Sequence, residues 1–243
     1  MSADARTPQL TTLRNPIHGR PSMDRIFDFL KRTFRVTPVT ADLVVINAIM
    51  FIVTLSIGGF TNANLIRLGG LVPAYVTQNG EWYRVLTAMF LHGSILHFVM
   101  NMIALYYLGS AMERAIGPVR FLGLYLVAGI GADLAIAFFD TDLTIGASGA
   151  LYGIMAALFY ITLAHKNWFT PASVGAIQRM ILINFAITFL IPNISVIGHL
   201  AGFALGFLAA VALVPKIPFF ARRNPSKPQN GEDQDDDGEI PPA

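Results

Sequence analysis

The chain has 243 residues, of which 54% are hydrophobic and 13% charged, and its net charge at pH 7 is +2. A soluble globular domain carries about 25% charged residues, so most side chains here cannot face water and the lipid bilayer is the expected solvent. The chain contains no cysteine, which excludes disulfides and thiolate metal sites.

Six apolar segments of spanning or near-spanning length follow one another along the chain. They cover residues 41–60, 92–110, 118–139, 148–165, 177–197 and 198–214. A helix that crosses a bilayer needs about 20 apolar residues, so the fourth and sixth segments are short. Short segments in a bundle are expected to begin below the membrane surface, surrounded by protein. The sequence therefore predicts an all-α polytopic membrane protein with a bundle of six transmembrane helices.

Lysine and arginine are distributed unevenly between the connecting segments. Fifteen of the 17 lie before the first segment, after the second, after the fourth or after the last, and only Arg67 and Arg84 lie in the other loops. Because cytoplasmic segments carry the excess of basic residues, both termini are predicted to be cytoplasmic. Residues 1–40 are interpreted as a basic segment without a signal-peptide core, residues 41–215 as the six-helix core, and residues 216–243 as a disordered acidic tail.

Polar side chains within these apolar segments are costly and usually face the interior of a bundle. Ser148 opens the fourth segment, His199 opens the sixth, and Asn101 lies about 13 Å into the second. These three segments all run inward from the outer face. A hydroxyl, an imidazole and an amide are therefore expected to converge at a similar depth.

This set of groups fits acyl transfer. A serine hydroxyl is a weak nucleophile until a base takes its proton, and a neutral imidazole can do so at physiological pH. Asn101 and His97, on one helical face, offer N–H donors for the oxyanion of a tetrahedral intermediate, as does the backbone N–H of Ser148. No carboxylate is evident behind His199, so the sequence predicts a Ser–His dyad rather than a triad.

Glycines recur at intervals of four residues in the two segments that carry Ser148 and His199. They are Gly149 and Gly153 in the fourth segment and Gly198, Gly202 and Gly206 in the sixth. This spacing of small residues lets membrane helices approach closely, and a Ser–His hydrogen bond needs heavy atoms about 2.6–3.2 Å apart. Tyr152, one turn after Ser148, is expected to stack on the His199 ring and limit its rotation.

Three stretches of the chain together resemble the rhomboid family of intramembrane serine proteases. They are EWYRVLTAMFLHGSILHFVMNM (81–102), GASGALYG (146–153) and GHLAGFALG (198–206). The resemblance covers the whole predicted core, with the motifs in order on the expected segments. It implies that the substrates are transmembrane segments of other proteins, cut in or near the bilayer, and that no metal or cofactor is needed.

The resemblance also implies a role for individual residues. Ser148 is expected to be the nucleophile and His199 the general base, with His97 and Asn101 helping to form the oxyanion hole. The outer loop, which contains Trp82 and Arg84, is expected to be partly embedded in the membrane. Support of the site is expected from Tyr152, Gly149, Gly202 and His92.

One feature departs from the family pattern. Rhomboids often carry Glu-x-Arg after the second span, whereas Glu113 and Arg114 are adjacent here, and this difference is expected to affect local loop contacts and to leave the chemistry intact. The sequence predicts no spanning segment outside the core, which disfavours the seven-span mitochondrial arrangement and favours a bacterial inner membrane. No nucleic-acid partner is expected, and the oligomeric state stays open.

Other chemistries fit the spacing less well. Ala150 stands where the soluble hydrolase elbow G-x-S-x-G has glycine, and no glutamate lies between His92 and His97 as a zinc H-E-x-x-H motif requires. An aspartyl protease would need a second acid at the depth of Asp133, and the other segments offer only Asp42 at a cytoplasmic edge. His92 is expected to bond the outer loop or deliver water, and Asp133 to reach interfacial water or an interior polar partner.

Two functions outside this class remain as alternatives. A non-proteolytic rhomboid-like protein that binds membrane helices would be expected to lack the nucleophile or the base, and both are present. A small transporter would be expected to show charges at the bilayer midplane or a pair of broken helices.

Overall fold

The computed structural model describes residues 31, 33–192 and 194–223, and every regular element within them is helical. The main helices are α1 (Pro38–Ser56), α2 (Asn62–Arg67), α3 (Pro73–Thr77), α4 (Arg84–Thr87), α5 (Ile95–Ile116), α6 (Pro118–Phe139), α7 (Ser148–Ala164), α8 (Pro171–Leu190), α9 (Val196–Leu213) and α10 (Phe219–Arg223). The described residues contain no β-strand, only an isolated antiparallel bridge between Leu71 and Thr144. The predicted all-α class is confirmed.

Five helices in the described part are long and apolar enough to cross a membrane: α1, α5, α6, α8 and α9. A sixth helix, α7, is also apolar but has only 17 residues. The protein is therefore a multi-pass membrane protein. The short helix α7 is also the most enclosed one, since most of its side chains are buried between α6 and α9.

The second and fifth predicted segments begin three and six residues away from the starts of their helices, and capping explains both. Residues 92–94 precede α5, because Ser94 is extended and its Oγ accepts the N–H of His97 at 3.1 Å, which fixes the helix start at Ile95. The fifth segment was predicted from residue 177, but α8 begins at Pro171, where Thr170 caps the helix and proline occupies its first position. His92 therefore lies in a loop and not in a helix.

Small residues bring the backbones of α7 and α9 into direct contact. A Cβ added to Gly206 would lie 2.2 Å from the Cα of Gly153, and one added to Gly202 would lie 2.2 Å from the carbonyl oxygen of Gly149. On the opposite side of α7, the methyl group of Ala132 in α6 faces Gly149. The close approach predicted from the glycine spacing is present, and it holds the first turns of α7 and α9 side by side.

Glu113, the residue at the family departure, joins the end of α5 to the start of α1. Its carboxylate is buried and accepts the backbone N–H groups of Val39 and Thr40, at 3.0 and 2.8 Å, and the Thr40 hydroxyl at 2.7 Å. These N–H groups have no partner within their own helix, so the glutamate caps α1 from a distant part of the chain. Arg114, by contrast, is exposed.

Arg84 holds the outer loop between α1 and α5 together from inside. The buried guanidinium donates from Nη1 to the carbonyl oxygens of Ile66 and Gly70, both at 2.8 Å, and from Nε to Glu81 at 2.7 Å. One side chain thus fixes the end of α2 and the segment after it. The hydrogen bond from Arg84 lowers the pKa of the Glu81 carboxyl below its ordinary value.

The two ends of the chain lie mostly outside the described residues, which includes most of the predicted basic segment 1–40 and of the tail 216–243. Residue 216 was predicted to begin a disordered tail, but residues 219–223 form α10. The Phe219 ring lies against Gly117, where an added Cβ would be 3.0 Å from the ring. An aromatic contact with the α5–α6 turn therefore extends the helical structure beyond the predicted core.

Candidate active site

Ser148 and His199 meet where α7 and α9 begin. Ser148 is the first residue of α7, and His199 lies in the first turn of α9, which Ser195 caps by accepting the N–H of Gly198 at 3.1 Å. The Oγ of Ser148 lies 2.8 Å from Nε2 of His199, a normal hydrogen-bond distance. Both side chains come from helix starts that are held together by the glycine contact one turn below.

The His199 ring is held on its face and at its second nitrogen. The ring of Tyr152 stacks on it, with centroids 4.0 Å apart and planes inclined by 13°. Nδ1 lies 2.9 Å from the hydroxyl oxygen of Thr188 in α8. The imidazole is 8% exposed, so its orientation is set by these protein contacts and not by bulk water.

Two polar side chains of α5 face the backbone just before Ser148. Gly146 has φ +125°, and a Cβ added there would lie 2.8 Å from Nε2 of His97 and 3.6 Å from Nδ2 of Asn101. The amide nitrogen of Asn101 is buried and has no hydrogen-bond partner among the described residues. A buried, unused N–H donor is costly unless something accepts from it. This pocket is therefore suited to an oxyanion.

The arrangement has the groups that acyl transfer needs: a serine hydroxyl hydrogen-bonded to an imidazole, and N–H donors beside the backbone that leads to that serine. A family model described as the Rhomboid domain matches residues 79–216, more than half of the chain. The chain belongs to the rhomboid family. The sequence resemblance is thereby confirmed.

Several rhomboid relatives resemble the chain over most of its length. It is 36% identical over 181 residues to rhomboid protease GluP of Bacillus subtilis (strain 168), which covers 74% of this chain and 36% of that protein. It is 32% identical over 173 residues to RHOMBOID-like protein 4 of Arabidopsis thaliana, covering 68% and 43%. With RHOMBOID-like protein 6, mitochondrial, of the same plant, it shares 37% over 156 residues, covering 62% and 51%. The chain thus spans about a third to a half of these relatives.

His92 and Asp133 lie deeper in the protein than the sequence suggested. The His92 ring is fully buried, and its centroid lies 5.0 Å from that of His97. His92 contacts the site through His97, and its expected bond to the outer loop stays a prediction. Asp133 is buried rather than interfacial, and its Oδ2 has no hydrogen-bond partner among the described residues.

The described residues contain no group of three or more His, Asp or Glu side chains placed to hold a metal ion.

Thr188 is the site residue that sequence reasoning missed. A threonine in an apolar helix commonly bonds the carbonyl one turn earlier, and Thr188 does so with Asn184 at 3.0 Å. Its sequence position therefore carries no signal of the second contact, with His199.

Proposed function

We propose that this rhomboid is an intramembrane serine endopeptidase that cleaves transmembrane segments of other membrane proteins. The observation that carries the proposal is the 2.8 Å contact between Ser148 Oγ and His199 Nε2 at the starts of two apolar helices. A serine hydroxyl bonded to a buried imidazole is the arrangement that turns a weak nucleophile into a reactive one. The name of GluP, a rhomboid protease, supports the same reading.

Acylation begins when Ser148 Oγ attacks the carbonyl carbon of the scissile peptide bond as its proton passes to Nε2 of His199. The tetrahedral intermediate carries a negative oxygen, which accepts hydrogen bonds from Asn101 Nδ2, from His97 and from the backbone N–H of Ser148. When the intermediate collapses, the C–N bond breaks and His199 gives its proton to the leaving amine. The product is an acyl-enzyme ester on Ser148.

Deacylation repeats these steps with water in place of the serine hydroxyl. His199 takes a proton from the water as its oxygen attacks the ester carbon, and then returns the proton to Ser148 as the C–O bond breaks. Water must reach the site, so we propose that the starts of α7 and α9 open towards the outer, periplasmic side. No step needs a cofactor.

The topology we propose has six membrane helices, with α7 as the short central one and both termini in the cytoplasm. The distribution of lysine and arginine supports this orientation, because only Arg67 and Arg84 lie in the predicted outer loops. The proposed location is a bacterial inner membrane, which fractionation of the native host would test.

The decisive experiment is cleavage of a model transmembrane substrate by purified protein in liposomes. We expect Ser148→Ala and His199→Ala to abolish cleavage, and Ser56→Ala, at an exposed serine at the end of α1, to leave it unchanged. A fluorophosphonate that labels activated serines should modify wild type but not Ser148→Ala. Undiminished cleavage by both site variants would refute the proposal, and a wild type that neither cleaves nor reacts would favour a helix-binding protein without activity.

A further inference from the structure

The histidine of the proposed dyad has a second hydrogen bond, on the nitrogen that does not face the serine. Nδ1 of His199 lies 2.9 Å from Oγ1 of Thr188, and this threonine is 2% exposed. The same hydroxyl contacts the carbonyl oxygen of Asn184 at 3.0 Å and the hydroxyl of Tyr152. Thr188 thus stands where a triad would have its third member.

The donors and acceptors around Thr188 can all be satisfied with one arrangement of protons. For His199 to take a proton from Ser148, its Nε2 must be unprotonated, so the neutral ring carries its hydrogen on Nδ1. That N–H donates to the hydroxyl oxygen of Thr188. The Thr188 hydrogen then points to the Asn184 carbonyl oxygen at 3.0 Å, and the hydroxyl hydrogen of Tyr152 is shared between that carbonyl oxygen, at 2.7 Å, and the Thr188 oxygen. The hydroxyl is therefore placed as an acceptor for the ring.

A hydroxyl fits this position better than a carboxylate would inside a bilayer. An ionised carboxylate buried in an apolar bundle is costly unless it is fully paired. A threonine oxygen accepts the Nδ1 hydrogen without introducing a charge, and it continues to accept when the ring becomes an imidazolium. A hydrogen bond to a charged partner is stronger than one between neutral groups, so this contact strengthens as His199 takes the proton.

We infer that Thr188 is a positioning residue that holds His199 in the reactive tautomer and orientation, through the hydrogen bond from Nδ1 to its hydroxyl. This inference rests on the proposed function, since it assigns a role through the base of that reaction. It adds a hydroxyl behind the Ser–His dyad expected from the sequence, so that side chains from α7, α9 and α8 form one hydrogen-bonded chain.

The helix that carries Thr188 is the most loosely covered of the predicted spans. In the most apolar stretch of α8, only 11% of the residues are buried inside the protein, against 50% in the corresponding stretch of α6. The contacts that hold α8 at this level involve few side chains, chiefly Tyr152 with Thr188 and the ring of Phe185 against Tyr152 and Phe203. Any outward movement of α8 therefore removes the acceptor from His199, so the orientation of the base depends on where α8 lies.

The test compares variants that differ by one atom or one group at position 188. Thr188→Val keeps the shape and removes the hydroxyl, and we expect kcat to fall about 10- to 100-fold with KM changed less than about threefold. Thr188→Ser keeps the hydroxyl and should retain most of the activity. Labelling of the serine by a fluorophosphonate should slow in parallel with kcat, because the base and not the substrate has been disturbed.

A second pair of variants keeps the test valid if Thr188→Val does not fold. A matched control at another position measures the general effect of replacing a buried threonine with valine. Thr188→Ala and Thr188→Ser differ by a single oxygen, so their ratio isolates the hydroxyl even if valine is poorly accommodated. Thr162→Val removes another buried helical hydroxyl, whose one hydrogen bond among the described residues is to the carbonyl oxygen of Phe159 in its own helix at 2.7 Å, and it should leave kcat unchanged.

The outcomes separate this inference from the function on which it rests. If Ser148→Ala retains cleavage, the proposed function fails. The role of Thr188 alone is overturned if Ser148→Ala is inactive but removal of the Thr188 hydroxyl has little effect. Little effect means that kcat and the labelling rate of Thr188→Val stay within about twofold of wild type, or that those of Thr188→Ala stay within about twofold of Thr188→Ser. A loss confined to KM, with an unchanged labelling rate, would likewise overturn it, since the threonine would then act on substrate entry.

Discussion

Replacing Gly202 with alanine adds one methyl group at the point where α9 lies closest to α7. The new Cβ would stand 2.2 Å from the carbonyl oxygen of Gly149 and 2.9 Å from its carbonyl carbon. Both are backbone atoms of a buried helix and cannot rotate away. Because an ordinary contact needs at least about 3.4 Å, the two helices have to separate by about 1 Å near this level.

The separation falls within one turn of the proposed catalytic pair, since Gly202 follows His199 by three residues and Gly149 directly follows Ser148. A shift of about 1 Å would lengthen the Oγ–Nε2 distance from 2.8 Å to about 3.8 Å, beyond hydrogen-bond range. Misplacing a catalytic group by 1 Å costs about 100-fold in rate. Overpacking is also expected to lower the free energy of unfolding by about 1–3 kcal/mol.

The assay is the initial rate of substrate cleavage in liposomes, together with the rate of fluorophosphonate labelling and a thermal unfolding curve in detergent. The matched control is Gly123→Ala in α6, where the added Cβ would meet only a Leu213 methyl group at 3.9 Å. We expect the control to cleave at the wild-type rate. Cleavage by Gly202→Ala within about threefold of wild type would refute the claim that backbone contact between α7 and α9 sets the site geometry.

Four further changes follow from other contacts. Gly146→Ala should reduce kcat at least about 100-fold without unfolding the protein. The backbone at position 146 has a positive φ, and the new Cβ would enter the pocket that faces His97 and Asn101 of α5. Asn101→Ala should lower kcat about 100- to 1,000-fold with little change in KM, by removing one oxyanion donor. Glu113→Gln should lower the free energy of unfolding by about 1–3 kcal/mol, since an amide nitrogen would face donors that now bond a carboxylate. The pair of Glu81 and Arg84 should stabilise the outer loop at neutral pH and lose that effect in acid. The pKa of Glu81 is lowered in the folded state, so its contribution is complete above the ordinary carboxyl value of about 4.3 and disappears as pH falls through the folded value.

Each of these expectations has a measurement that can contradict it. Wild-type kcat in Gly146→Ala or Asn101→Ala would remove the pocket before Ser148 from the proposed mechanism. An unchanged unfolding midpoint in Glu113→Gln, with activity intact, would mean that the carboxylate does not hold α1. For the outer loop, a tryptophan fluorescence change at acid pH that persists in Glu81→Gln would assign the transition to another group.

Local sequence determined where helices form and which of them are apolar. Runs of apolar residues of spanning length predicted the helices that contain Ser148 and His199 almost to the residue, because burial in lipid depends on the composition of each segment alone. The glycine spacing also indicated which faces of α7 and α9 touch, since only small residues on one face let two backbones meet. The placing of Ser148 and His199 at helix starts followed from the same patterns.

Tertiary structure decided the contacts that join distant parts of the chain. Glu113 caps α1 across more than 70 residues, Arg84 binds carbonyl groups in another turn of the outer loop, and Thr188 meets His199 from the loosely covered helix α8. None of these partners is marked by periodicity, because a polar side chain in an apolar segment shows only that it must find a partner. Which partner it finds depends on the relative rotation and depth of the helices, and these are set by how all the helices pack together.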